Sequence, residues 1–243
     1  EEEIAETQLL VIATTAMPKE EWVRTRVFAW MTALLHFDKI VQIPLVLVHE
    51  RCAVSYRELI ELVLNDPLED CPVLSSVRAL FVEKAKEIQH GGPEYCQAPA
   101  WLNIWWPADE YVLITLYAEG TLAQCYDEAE RLVTRFLQRH GRSLPPGLLH
   151  EAITLNCSLL KLPFQTADLT LELSYNIWEF YQGVLRGSKV SLEHKPSRYQ
   201  IDRTSKTWGS LGDWCREVIW YGNKKGAYLY GNNAVEPQLA GHY

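Results

Sequence analysis

Apolar residues in this chain recur mostly three or four positions apart, the spacing of helices rather than strands. Val23, Val27, Trp30, Met31 and Leu34 mark one stripe. Phe28 and Leu35 widen it, so the spacing predicts a helix buried on more than one side. Pro18 suits its first position, and Glu20 and Glu21 complement the helix dipole in its first turn. Pro44, which lacks a backbone donor, is expected to end or kink that run. Ser55 and Glu58 have the form of a capping box opening a helix to about Leu64, and Asn65-Asp66-Pro67 closes it as a turn. Pro72 opens a further helix through Val73, Val77, Leu80, Phe81, Lys84 and Ile88, which Gly91-Gly92-Pro93 stops. Residues 94–106 read as an aromatic loop. Helices are then expected from Pro107, over 122–140 with Thr121 as cap, and from Pro145-Pro146 to about Leu160.

Period two appears in fewer places. Residues 8–14 (QLLVIAT) are short, β-branched and apolar, and read as a strand. After Pro163, Leu169, Leu171 and Leu173 alternate with Thr170 and Glu172, again a strand pattern. Residues 189–193 and 198–202 read as a pair of strands around a His194-Lys195-Pro196-Ser197 turn, with helices at 176–185 and 208–221. The fold class is therefore mainly α, α+β overall. A bundle-like helical body preceded by one short strand occupies 1–162, and a small α+β portion packs on it over 163–243.

Composition narrows the function. The 243 residues carry a formal charge of −8, which argues against nucleic acid or an anionic membrane as partner, since phosphates favour a basic face. No run reaches the roughly 18 apolar residues of a membrane span. The six cysteines lie at 52, 71, 96, 125, 157 and 215, without a C-x-x-C pair, and are expected to be reduced thiols, which suits a cytoplasmic location. The opening Glu1-Glu2-Glu3, without an initiator Met, reads as a cut from a longer chain.

Candidate chemistry is sparse. The sequence holds neither G-x-G-x-x-G nor G-x-x-x-x-G-K-[ST], and no G-x-S-x-G nucleophile turn. His36-Phe37-Asp38 and His49-Glu50 put polar groups near the apolar centre. A metal site would need three or four such groups to converge, and a histidine bonded to a carboxylate or carbonyl is the plainer reading. Asp109 and Glu110 after two tryptophans have the residue types of a sugar-binding or glycosidase cleft. Neighbours on a helix point about 100° apart, however, so acids capping a helix explain them more simply. Trp101, Trp105 and Trp106 are either a buried anchor or an exposed platform for a flat ligand or a partner. The tail from Trp220 to Tyr230 sets aromatics beside glycines and lysines and is expected to fold back onto the body or onto the rest of a parent protein.

Several stretches resemble the carboxy-terminal region of cobalamin-binding radical S-adenosylmethionine (SAM) proteins. They are Ala16-Met17-Pro18-Lys19-Glu20-Glu21-Trp22 with the opening strand, Val27 through Lys39, Trp105 through Glu110, the Asp213-Trp214 helix and the Val235 through Tyr243 ending. The resemblance implies a cobalamin-binding Rossmann-like domain, then a partial barrel holding a [4Fe–4S] cluster and SAM, then a variable helical domain like this one. That family ligates its cluster with a C-x-x-x-C-x-x-C triplet, which this sequence lacks. SAM, the [4Fe–4S] cluster and cobalamin are thus expected only in a preceding part of the parent, and this segment is expected to be non-catalytic. Its partners would be the N-terminal domains of its own parent chain and a small-molecule substrate, which His36, Asp38, Trp101, Trp105, Trp106 and Asp109 would face. Two other classes stay open: an independent helical binding module using the aromatic face, and a hydrolase pairing Asp109 or Glu110 with a histidine.

Overall fold

A computed structural model describes residues 9–223, 227–232 and 234–238. It is mainly α with a small α+β portion. The chain order is α1 (Lys19–Thr32), a π-helical turn (Ala33–Phe37), α2 (Gln42–Cys52), α3 (Tyr56–Asn65), α4 (Pro72–Gln89), strands β1 (Cys96–Ala98) and β2 (Ile104–Trp106), α5 (Ala108–Ala118), α6 (Leu122–Arg139) and α7 (Leu148–Leu159). Then follow β3 (Leu169–Tyr175), α8 (Ile177–Leu185), β4 (His194–Ile201), α9 (Leu211–Trp214), a second π-helical turn (Cys215–Trp220), α10 (Tyr221–Asn223) and β5 (Val235–Gln238).

The punctuation of the sequence explains most boundaries. Ser55 caps α3 through its side chain while Glu58 reaches back to the Ser55 amide, a complete capping box. Pro72 sits in the first turn of α4, and Gly91 beyond its end takes a left-handed φ of +87°. Lys84, on the apolar stripe of α4, is buried there. Helix α1 packs on α4, α2 on α7 and α4 on α6. One apolar cluster runs from Trp22 to Val235, with Trp106, Trp214, Tyr199, Tyr228 and Phe81 among its most buried side chains.

The structure corrects several readings. Residues 9–14 form no strand, and Leu9 and Val11 are exposed; among the described residues no neighbouring edge supplies the backbone partners that a strand requires. Residue 8 of that segment lies outside the described residues. Pro44 does not end α1. The break comes earlier, at 38–41, and Pro44 occupies the first turn of α2, where its missing donor costs nothing. The aromatic loop contains the β1–β2 hairpin. Thr121 bonds the Leu116 carbonyl instead of capping α6 through its side chain.

Residues 189–193 are not a strand, and 194–197 are not a turn but the start of β4. That strand pairs antiparallel with β3, Leu171 facing Tyr199, and on its other side with β5. Residues 208–221 divide into a short α-helix and a π-helical turn. The tail does fold back: Leu229 bridges Leu160, and Tyr228 and Tyr230 are buried. Residues 224–226 and 239–243 of the tail readings lie outside the described residues. Among the described residues no single helix is long and apolar enough to cross a membrane, and the apolar pair formed by α1 with its π turn and α2 is bent by 96°.

Candidate functional site

The polar centre is built where the end of α1 meets the start of α5. The π turn closes when the Asp38 amide donates to the Ala33 carbonyl, five residues back, at 2.8 Å. Lys39 then takes a left-handed φ of +63°, a strained setting for a residue with a side chain. Asn156 on α7 holds this turn. Its amide donates to the Lys39 and Ile40 carbonyls at 2.9 and 2.6 Å, and its oxygen accepts from the Ile43 amide at 3.0 Å. These bonds fix Asp38 inside, 1% exposed.

Asp109 and Glu110 lie in the first turn of α5 and are also buried, 9% and 4% exposed. Tyr228 arrives from the tail, its backbone held by the Lys161 amide on its carbonyl at 2.9 Å. Burial, reinforced by the charges of Asp109 and Glu110, pushes the Asp38 pKa well above the usual carboxylate range, and the nearby Tyr228 hydroxyl pulls it back only in part. Asp109 is raised too, by burial; the amides at the start of α5 and Arg26 oppose that rise. The tyrosine is shifted upward by burial and by the same three carboxylates. Asp38 Oδ2 and Tyr228 Oη are both buried without a well-directed hydrogen bond. Arg26 pairs with Glu94 and covers the Trp30 ring at 4.8 Å, with its buried Nε unbonded.

The hairpin after α4 separates the tryptophans by strand alternation. Trp106 pairs with Cys96 and faces inward, 1% exposed, its indole N–H donating to the Trp101 carbonyl at 3.2 Å. Trp105 pairs with Gln97 on the opposite face and is 49% exposed. Leu102 and Asn103, both left-handed at φ +61° and +51°, turn the chain between the strands. Trp101 packs on Tyr111 at 5.1 Å. Trp105, Tyr95 and Tyr111 line a groove of about 520 Å³ with Leu80, Lys84 and Cys96. Cys96 links groove to centre. Burial raises its thiol pKa, and Asp109 is close enough to add to that rise.

Of the six residues expected to face a ligand, the structure brings Asp38 and Asp109 together, puts Trp105 at the groove, sets Trp101 against the groove residue Tyr111 and buries Trp106. His36 goes elsewhere. Its ring lies edge-on to Phe37 and Tyr56, each at 5.2 Å, and burial with the Lys39 charge lowers its pKa. His49 stacks on the Tyr56 ring at 4.2 Å and bonds the Val54 carbonyl at 2.7 Å. Sequence reasoning did not single out Arg26, Tyr95, Tyr111 or Tyr228 as site residues. Their signal is tertiary, since each comes from a different part of the chain. Glu110, set aside as a capping acid, belongs to the centre with Asp109.

Among the described residues no group of three His, Cys, Asp or Glu side chains is placed to hold a metal ion. No protein-family model matches the chain, and no curated protein does.

Proposed function

We propose that this chain is the accessory, substrate-facing C-terminal domain of a radical SAM enzyme of the cobalamin-binding type, with no catalytic step of its own. The observation that supports the reading is convergence. Two stretches that carry the resemblance, 27–39 and 105–110, are far apart in sequence and meet through Asp38, Asp109 and Glu110. The π turn and the left-handed Lys39 add to it, because π turns and strained backbone concentrate at functional sites. On this reading SAM, the [4Fe–4S] cluster and cobalamin belong to preceding domains of the parent chain, which are also this domain's partners, and the setting is cytoplasmic. This chain's own contribution is a buried carboxyl centre, in which burial raises the Asp38 and Asp109 pKa values, and an aromatic groove against which a small-molecule substrate is held.

The coding sequence upstream of Glu1 tests the reading first. A C-x-x-x-C-x-x-C triplet after a Rossmann-like segment is the expected result, and a start codon immediately before Glu1 contradicts it. In the full-length protein, Trp105→Ala with Tyr95→Ala is expected to raise KM for the substrate while leaving the fold intact. An unchanged KM would remove these rings from substrate contact.

A second reading, an independent helical ligand-binding module, has one observation in its favour. The groove with its half-exposed Trp105 and Tyr95 is walled by residues of this chain.

A further inference from the structure

We propose that the groove beside Trp105 is a binding site for a small organic cation bearing an alkyl- or arylammonium group. The proposal rests on the groove being a ligand site, which both readings above share. Its volume, about 520 Å³, falls in the range of small-molecule pockets.

The wall offers two kinds of group, and both favour positive charge. The first is aromatic: Tyr95 and Trp105, 47% and 49% exposed, with Tyr111 half-buried between the groove and Trp101. Ring faces carry the negative side of an aromatic quadrupole and attract a cation placed over them, tryptophan most strongly. The second is acidic. Glu83 and Glu87, on successive turns of α4, are exposed and line the same groove. Lys84 is the one cation of the wall among the described residues, and it is not displayed to a ligand. Its side chain is 8% exposed and its ammonium is bonded to Glu87 Oε2 at 3.0 Å.

An anion entering the groove would meet the Glu83 carboxylate and a Lys84 ammonium already engaged by Glu87, with no available cationic donor. A neutral ring would use the aromatic faces and leave the acids idle. Only a cation uses both. Trp105 is also held ready for one, because its backbone is paired to Gln97 and its neighbour Trp106 is anchored in the core, so little ordering is required on binding.

The test uses the whole chain at low salt with three probes of similar size: phenyltrimethylammonium, benzenesulfonate and benzyl alcohol. Binding is followed by NMR at the Trp105 indole N–H, the signal lost in Trp105→Phe. The cation is expected to saturate that signal with an affinity about tenfold better than the other two probes, a difference of ~1.4 kcal/mol. Trp105→Ala, read by calorimetry, is expected to weaken the cation by about the same factor, and Glu83→Gln several-fold. Equal affinity for cation and benzyl alcohol would overturn the charge preference while leaving the groove a ligand site. No binding by any of the three would overturn both. Cation binding undiminished in Trp105→Ala would place the site elsewhere and also overturn the proposal.

Discussion

Two buried polar clusters of this molecule are built on opposite principles. Glu128 on α6 is fully buried, and its carboxylate accepts from the Val73 and Leu74 amides at 3.2 and 2.9 Å and from Gln124 at 2.9 Å. It therefore caps the open N-terminus of α4, where orphan amides and the helix dipole favour an anion. Asp38 is equally buried, but it faces two other carboxylates, and its Oδ2 and the adjacent Tyr228 hydroxyl lack well-directed partners. Buried polar groups in folded proteins are overwhelmingly hydrogen-bonded, so an exception needs a reason other than stability. Glu128 holds the fold. Asp38 is a buried ionisable group that the fold tolerates at a cost, and such groups concentrate where chemistry or binding occurs.

The contrast is sharpest under mutation, from the largest effect to the smallest. Trp106→Ala, which empties the core under the hairpin, is expected to cost about 3–5 kcal/mol in a urea titration. A loss below about 1 kcal/mol would show that the hairpin is not anchored there. Glu128→Ala takes the acceptor from the buried Leu74 amide and the half-buried Val73 amide and is expected to cost about 2 kcal/mol. Asp38→Asn is expected to go the other way, with a gain on the order of 1 kcal/mol at pH 8. Trp105→Ala, at a half-exposed position, should change stability by no more than about 0.5 kcal/mol.

The sign of the pH effect follows from Asp38. Its folded-state pKa lies above its unfolded one, so the folded chain keeps a proton that the unfolded chain has released. The Asp38 contribution to stability is therefore fully present below the unfolded value of about 4 and is lost as pH rises toward the folded value. Urea midpoints at pH 5 and pH 8 should differ more for the wild type than for Asp38→Asn. Equal differences would assign the pH dependence to other groups.

Much of the helical frame was legible in the sequence because it rests on local rules. The Ser55–Glu58 capping box, Pro72 and Gly91 mark helix ends by chemistry that acts within one turn. The strands were legible only in part, because a strand exists only with a partner. Residues 9–14 have the composition of a strand but no edge beside them among the described residues, whereas 194–197, with a proline that suggests a turn, were captured by β3. The site was legible as residues and not as an arrangement. Asp38 and Asp109 stand out in the sequence, but their meeting depends on the π turn and the Asn156 staple, which have no local signature, and Tyr228 reaches them on a tail whose aromatics announce that it docks but not where.

The most direct test of the account is a carboxyl-carbon NMR titration of the chain labelled at Asp and Glu. The account expects at least one carboxyl to titrate well above the usual carboxylate range and to vanish from the spectrum in Asp38→Asn, with the Asp109 signal shifting in the same variant. If every carboxyl titrates within the ordinary range, the centre at Asp38 is hydrated or paired like any other, and its assignment as the functional heart of the molecule is wrong.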